Sequence, residues 1–154
     1  MYKSQNTLSK IVDFTGIGLH SGEKVKISLI PTATDTGINF KINNTLILAS
    51  WQNAVVSQLC TRLKFGENAI STIEHLMAAI SGLGITNLII QINSNEVPIL
   101  DGSSKEFVDE IRNVGITEQN KKQKILKILK KVEHKDQEKF IHISPSKKKS
   151  LSID

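Results

Sequence analysis

The clearest pattern in the sequence is a strict alternation of apolar and polar residues between positions 24 and 30. Val25, Ile27 and Leu29 lie on one face of an extended chain, and lysine and serine side chains lie on the other. Such alternation predicts a strand with one buried face. Residues 37–42, after a polar turn, are predicted to form its partner strand. Two further strands are predicted, a short one at residues 7–12 and an interior one in the β-branched run at 85–92.

Two segments show the helical period instead. Apolar residues recur at i, i+3, i+4 and i+7 from residue 73 to residue 80, and similar spacing covers residues 107–114. Each follows a Ser-x-x-Glu capping box, beginning at Ser71 and Ser103, and each is expected to stop at a glycine, Gly82 or Gly115. Strand groups followed by amphipathic helices predict an α+β fold, a two-layer sandwich of one β-sheet with helices packed on one face.

Composition limits the class of protein. The 154 residues are 39% hydrophobic and 23% charged, as expected for one globular domain with a short extension. No apolar run approaches the roughly 18 residues of a membrane span, and no signal-peptide core begins the chain. We therefore expect a cytoplasmic protein without an integral membrane segment. Cys60 is the single cysteine, which excludes an internal disulfide and a cysteine-rich metal site.

The net charge of +5 arises from the C-terminal part of the chain. Residues 118–154 carry 11 Lys and Arg against 5 Asp and Glu, whereas residues 1–117 carry 9 against 10. This basic tail could contact nucleic acid or an anionic surface. Because only Phe140 is interleaved for base stacking, we expect a solvated surface and no nucleic-acid partner.

The adjacent pair Glu74 and His75 has the residue types of a metal site, in the first turn of a predicted helix. The partial positive charge of a helix N-terminus stabilises a carboxylate and disfavours a protonated imidazole. Neighbouring helical residues diverge by about 100°, but both can reach a site beyond the N-terminal end. The alternative is structural, since Glu74 could close the capping box with Ser71 and His75 could be a surface residue.

Residues 70–76 read Ile-Ser-Thr-Ile-Glu-His-Leu, which resembles the signature helix of the UDP-3-O-acyl-N-acetylglucosamine deacetylases, zinc enzymes of lipid A biosynthesis. Several separated motifs in the family's order are more specific than any one of them. Five further segments resemble family segments in that order: Gln-Asn-Thr-Leu at 5–8, Thr-Gly-Ile-Gly-Leu-His-Ser-Gly at 15–22, Leu-Cys-Thr at 59–61, Gly-Leu-Gly-Ile-Thr-Asn at 82–87 and Val-Pro-Ile-Leu-Asp-Gly-Ser at 97–103.

The resemblance implies a reaction and a fold. The reaction is zinc-dependent hydrolysis of the N-acetyl group of UDP-3-O-(3-hydroxyacyl)-N-acetylglucosamine, which releases acetate in the committed step of lipid A biosynthesis. The fold would be ribosomal S5 domain 2-like. The resemblance implies that His75 is a zinc ligand and that Glu74 takes the proton of a zinc-activated water.

The same resemblance implies four substrate-binding residues. It puts Leu59 and Cys60 at the mouth of a passage for the acyl chain, and Thr61 belongs to the same motif. It also puts the glycine-rich loop that carries His20 near the active site. By itself that loop is more typical of a hairpin connection than of a phosphate-binding cradle, because it lacks the spacing of the nucleotide-binding motifs.

A catalytic zinc site needs about three protein ligands, and only His75 matches one here. In the family the other two lie on a His-Lys-x-x-Asp helix of a second domain, and that motif is absent between His75 and Asp154. We expect residues 1–118 to form the first deacetylase domain. Residues 119–154 are then the connection and first strands of an incomplete second domain, with strands at 139–144 and from 149 onward.

The chain is accordingly expected to be a fragment that is inactive alone. The alternative is a non-catalytic binding module on the same scaffold, which uses its basic tail. A His-Lys-x-x-Asp motif encoded beyond Asp154 would favour the enzyme, and a natural stop codon there would favour the module.

Overall fold

The computed structural model describes residues 3–146. The chain divides into two compact units, Met1–Gln123 and Lys124–Asp154. The described part contains two helices, α1 (Glu74–Gly82) and α2 (Lys105–Val114), and a 3-10 turn at Trp51–Asn53. Its strands are β1 (Ser4–Leu8), β2 (Val12–Ile17), β3 (Lys24–Pro31), β4 (Ile38–Ile42), β5 (Thr45–Leu48), β6 (Ala54–Val55), β7 (Arg62–Phe65), β8 (Asn68–Ile70), β9 (Leu88–Ile92), β10 (Ile116–Lys122), β11 (Val132–Asp136) and β12 (Lys139–Ile143).

The first unit is built on a five-stranded sheet with the order β2-β3-β9-β4-β5. The central strand β9 runs antiparallel to β3 and parallel to β4. The prediction that residues 37–42 pair with β3 is therefore wrong, because β9 lies between the two. Four of the five residues of β9 are apolar, which is typical of a central strand that has a neighbouring strand on each edge.

The predicted strand at residues 7–12 is also wrong in its bounds. β1 ends at Leu8 and β2 begins at Val12. Between them the chain turns, and the Ser9 N–H donates to the Gly115 carbonyl at 2.9 Å. β1 is not part of the main sheet. It pairs with β10 in a separate two-stranded sheet, with Thr7 opposite Thr117.

One face of the main sheet holds the core. Val25, Ile27 and Leu29 of β3 are fully buried, which confirms the alternation read from the sequence. Helices α1 and α2 add buried apolar side chains to the same cluster. Phe14 of β2 meets Phe107 of α2 edge to face, with ring centroids 5.0 Å apart. The α+β sandwich with helices on one sheet face is confirmed.

Neither predicted capping box forms. The residue before α1 is Ile73 and the residue before α2 is Ser104, and neither makes a side-chain cap hydrogen bond. Ser71 instead pairs with Glu96 in a parallel bridge. The Ser103 hydroxyl binds the Asp101 carboxylate and accepts the N–H of Lys105. Tertiary and turn contacts thus replace the local caps. The predicted helix ends are confirmed, since α1 ends at Gly82 and Gly115 caps α2 with a φ of 85°.

In the second unit, β11 and β12 form an antiparallel hairpin in which Val132 lies opposite Ile143. This confirms a strand at residues 139–143, whereas the strand predicted from residue 149 lies outside the described residues. Among residues 3–146, no helix is long and apolar enough to cross a membrane.

Candidate active site

The predicted catalytic helix begins after an unusual turn. β8 leads through Ser71 into Thr72, which has a φ of 58° and is only 2% exposed. A β-branched residue rarely adopts this left-handed conformation, which costs of order 1–3 kcal/mol and persists only where the surrounding structure imposes it. The Thr72 hydroxyl donates to the Glu96 carboxylate at 2.9 Å. The turn is therefore held by tertiary contacts, and α1 starts two residues later.

Glu74 is the first residue of α1 and is half-buried. Its Oε2 accepts the backbone N–H of Thr61 at 3.0 Å, and the Thr61 carbonyl accepts the Ile73 N–H at 3.4 Å. The capping-box interpretation of Glu74 is thus wrong, because the carboxylate is directed to a neighbouring segment. One carboxylate oxygen is thus held by a main-chain donor.

His75 follows as the second helical residue and is also half-buried. An imidazole beside a carboxylate is suitable donor chemistry for zinc. Within residues 3–146, however, no group of three or more His, Cys, Asp or Glu side chains could hold a metal ion. A complete zinc site that included His75 would therefore need donors from outside the described residues.

The segment predicted to contact substrate approaches the start of α1 at Thr61. Leu59 is 91% exposed and has a φ of 60°. Cys60 is half-buried, with its Sγ 3.2 Å from the Ser57 hydroxyl. Since the Thr61 N–H is hydrogen-bonded to Glu74, this segment is connected directly to α1.

His20 is exposed, and its backbone N–H is bound by Glu96, a residue that the sequence analysis did not select. Glu96 is only 4% exposed. Its carboxylate accepts the backbone N–H of His20 at 2.9 Å and the backbone N–H of Ser21 at 2.8 Å, besides the Thr72 hydroxyl. The sequence did contain an indication, because Glu96 directly precedes the apolar Val97 and a proline. A charge buried in such a segment needs hydrogen-bond donors from elsewhere in the chain.

These contacts determine the ionisation of Glu96. Burial alone would raise the pKa of its carboxyl, but the hydrogen bonds from His20, Ser21 and Thr72 lower the pKa from 4.5 to about 2. The side chain is therefore an ionised acceptor between the glycine-rich loop and the turn before α1.

Comparison with known proteins identifies the family. The profile of the UDP-3-O-acyl N-acetylglycosamine deacetylases matches residues 5–154. The UDP-3-O-acyl-N-acetylglucosamine deacetylase of Legionella pneumophila (strain Corby) is 41% identical over 147 residues, which are 93% of this chain and 48% of the relative. Those of Thioalkalivibrio sulfidiphilus and Acinetobacter baumannii are 41% and 43% identical over 145 residues, which are 92% of this chain and 48% of each relative.

The chain spans about half the length of these curated relatives. The family profile nevertheless covers nearly all of it, from Gln5 to Asp154. The chain belongs to the UDP-3-O-acyl N-acetylglycosamine deacetylase family.

Proposed function

We propose that this chain contributes part of the active site of a zinc-dependent enzyme that hydrolyses the N-acetyl group of UDP-3-O-(3-hydroxyacyl)-N-acetylglucosamine. The observation that carries the proposal is the position of Glu74, next to His75 at the start of α1, with one oxygen held by the Thr61 N–H. Membership of the family supports the substrate class.

In this proposal Glu74 is the general base and His75 is one metal ligand. A zinc ion, when bound, supplies Lewis acidity that polarises the amide carbonyl and acidifies the attacking water. Glu74 accepts the water proton at Oε1 while the Thr61 N–H keeps Oε2 in place. The water oxygen bonds to the carbonyl carbon, the C–N bond breaks, and the proton passes to the departing amine. The products are acetate and a glucosamine amine.

Leu59 and Cys60 are proposed to contact the acyl chain, and Thr61 is proposed to bind the substrate beside them. Leu59 is apolar and 91% exposed, so an acyl chain against it would remove apolar surface from water. Thr61 connects this contact to Glu74. His20 is proposed to approach the substrate from the loop held by Glu96.

The remaining zinc ligands are proposed to come from a second domain. A catalytic zinc needs about three protein ligands, and His75 supplies one. Residues 1–118 would form the first deacetylase domain and residues 119–154 would lead into the second. The division between the compact units, after Gln123, lies close to this boundary. The chain alone would then bind zinc weakly and have no hydrolytic activity.

The test uses this chain and a longer protein that includes the adjoining coding sequence, up to the length of the relatives. Zinc affinity and stoichiometry are measured by calorimetry, and acetate release is measured with UDP-3-O-acyl-N-acetylglucosamine as the substrate. We expect weak zinc binding and no turnover by the chain, and turnover that requires Glu74 by the longer protein. A longer protein that binds zinc without releasing acetate would overturn the proposal. Tight, His75-dependent zinc binding with turnover by the chain alone would overturn the assignment of the missing ligands.

A further inference from the structure

Among residues 3–146, Glu96 is a buried acidic side chain that the proposed reaction does not use. Its Oε1 accepts the His20 N–H and the Thr72 hydroxyl, both at 2.9 Å, and its Oε2 accepts the Ser21 N–H at 2.8 Å. Two of these donors belong to the loop after β2, and the third belongs to the turn before α1. Glu96 therefore joins two segments that are about 50 residues apart in sequence.

The main chain around Glu96 strengthens this connection. The Ser71 N–H donates to the Asn95 carbonyl at 2.9 Å, and the Val97 N–H donates to the Ser71 carbonyl at 3.0 Å. These bonds fix the strained Thr72 turn to the segment that carries the carboxylate. Side chain and backbone thus restrain the same turn.

The packing of the loop on Glu96 is close enough to require a glycine. A Cβ at Gly18 would lie 2.5 Å from Glu96 Oε2 and 2.2 Å from the Ser21 Oγ. Separations this short are repulsive, so a side chain at position 18 would force the Ser21 hydroxyl and the hydrogen-bonded Glu96 carboxylate to move.

We propose that Glu96 is a positioning residue that fixes the His20 loop relative to the turn carrying Glu74 and His75. The inference rests on the proposed function, because alignment of these groups matters only if they act on one substrate. Removal of the carboxylate would leave the catalytic groups present but misaligned, and small misalignments are costly in enzymes.

The test compares Glu96→Gln with Glu67→Gln, which changes an exposed glutamate in the turn between β7 and β8. A glutamine at 96 keeps one acceptor and replaces the other with a donor that faces N–H groups. On this chain, amide hydrogen exchange should become faster at His20 and Ser21 in Glu96→Gln and stay unchanged at Ile27 and Leu29 of β3. In the longer protein, kcat should fall about 10- to 100-fold with a much smaller change in KM.

A second pair of variants keeps the proposal testable if Glu96→Gln fails to fold. Thr72→Val removes the hydroxyl donor at nearly constant shape, whereas Thr72→Ser retains it. We expect Thr72→Val to lower kcat and Thr72→Ser to restore most of it. Faster exchange at His20 with unchanged kcat would overturn the positioning role and leave the proposed function intact. Absence of turnover in the unmodified longer protein would instead overturn the proposed function. If amide exchange at His20 and Ser21 is no faster in Glu96→Gln than in the unmodified chain, that result alone would overturn the structural link through Glu96.

Discussion

The backbone N–H of Thr61 donates a 3.0 Å hydrogen bond to the carboxylate of Glu74. The Thr61 carbonyl accepts the Ile73 N–H, so the start of α1 is held at two points by one residue. Thr61 therefore connects the proposed base, Glu74, to the segment that is proposed to meet the acyl chain. A substrate that shifts the segment would shift the base with it.

Glu74→Gln should separate structure from chemistry. A glutamine oxygen can still accept the Thr61 N–H, so thermal stability and zinc content should match the unmodified protein. The amide cannot accept the water proton, and hydrolysis by the longer protein should fall about 10²- to 10⁴-fold. Steady-state kinetics measure this loss, with Glu67→Gln as the control. Near-normal turnover in Glu74→Gln would remove Glu74 from the reaction.

His75→Ala should lower the zinc affinity of the longer protein. The loss should exceed the about 10- to 100-fold that removal of an outer-shell partner costs, because a direct ligand disappears. Competition with a chelator measures the affinity. His134→Ala, at an exposed position of β11, is the matched control and should retain zinc. Equal affinities for the two variants would contradict the assignment of His75.

Acid should weaken the contribution of Glu96 to stability. Its pKa is about 2 in the folded protein against an ordinary 4.5, so the folded state favours the ionised form. This contribution is complete above about pH 4.5 and disappears as the pH falls towards 2. The difference in unfolding free energy between the unmodified chain and Glu96→Gln should therefore shrink on acidification, by roughly 3 kcal/mol at most.

Urea unfolding between these pH values measures the difference. Asp13 and Asp101 also have lowered pKa values, but both titrate in either protein and so cancel. A difference that stays constant across the range would contradict an ionised, hydrogen-bonded Glu96.

Two glycine substitutions should have effects of opposite sign. Gly18→Ala places a Cβ against Ser21 and Glu96, and should destabilise the chain by about 1–3 kcal/mol. Gly82→Ala adds a Cβ at the end of α1, where no atom lies within 4 Å, and should stabilise it by up to about 1 kcal/mol. Equilibrium unfolding compares the two. Similar effects would show that the contacts of the loop with Glu96 do not constrain position 18.

The local patterns predicted individual elements better than the contacts between them. β3 followed from its alternation because one face is buried and the other is not. The pairing of β4 with β9 depends on residues about 50 positions apart, which no local pattern records. The capping box at Ser71 failed for the same reason, since Ser71 pairs with the distant Glu96, whereas Ser103 is engaged locally by Asp101. Glu96 was missed because its role depends on donors from two distant segments.

The central position of β9 has a consequence for the order in which the protein can fold. Strands β2 to β5 all leave the ribosome before residues 88–92, which must insert between β3 and β4. Until then β2 to β5 can form no more of this sheet than two separate hairpins, β2–β3 and β4–β5, and isolated hairpins are marginally stable in water. Their inner edges stay unpaired and available to other chains. Synthesis beyond β9 is therefore the step at which this sheet becomes protected from aggregation.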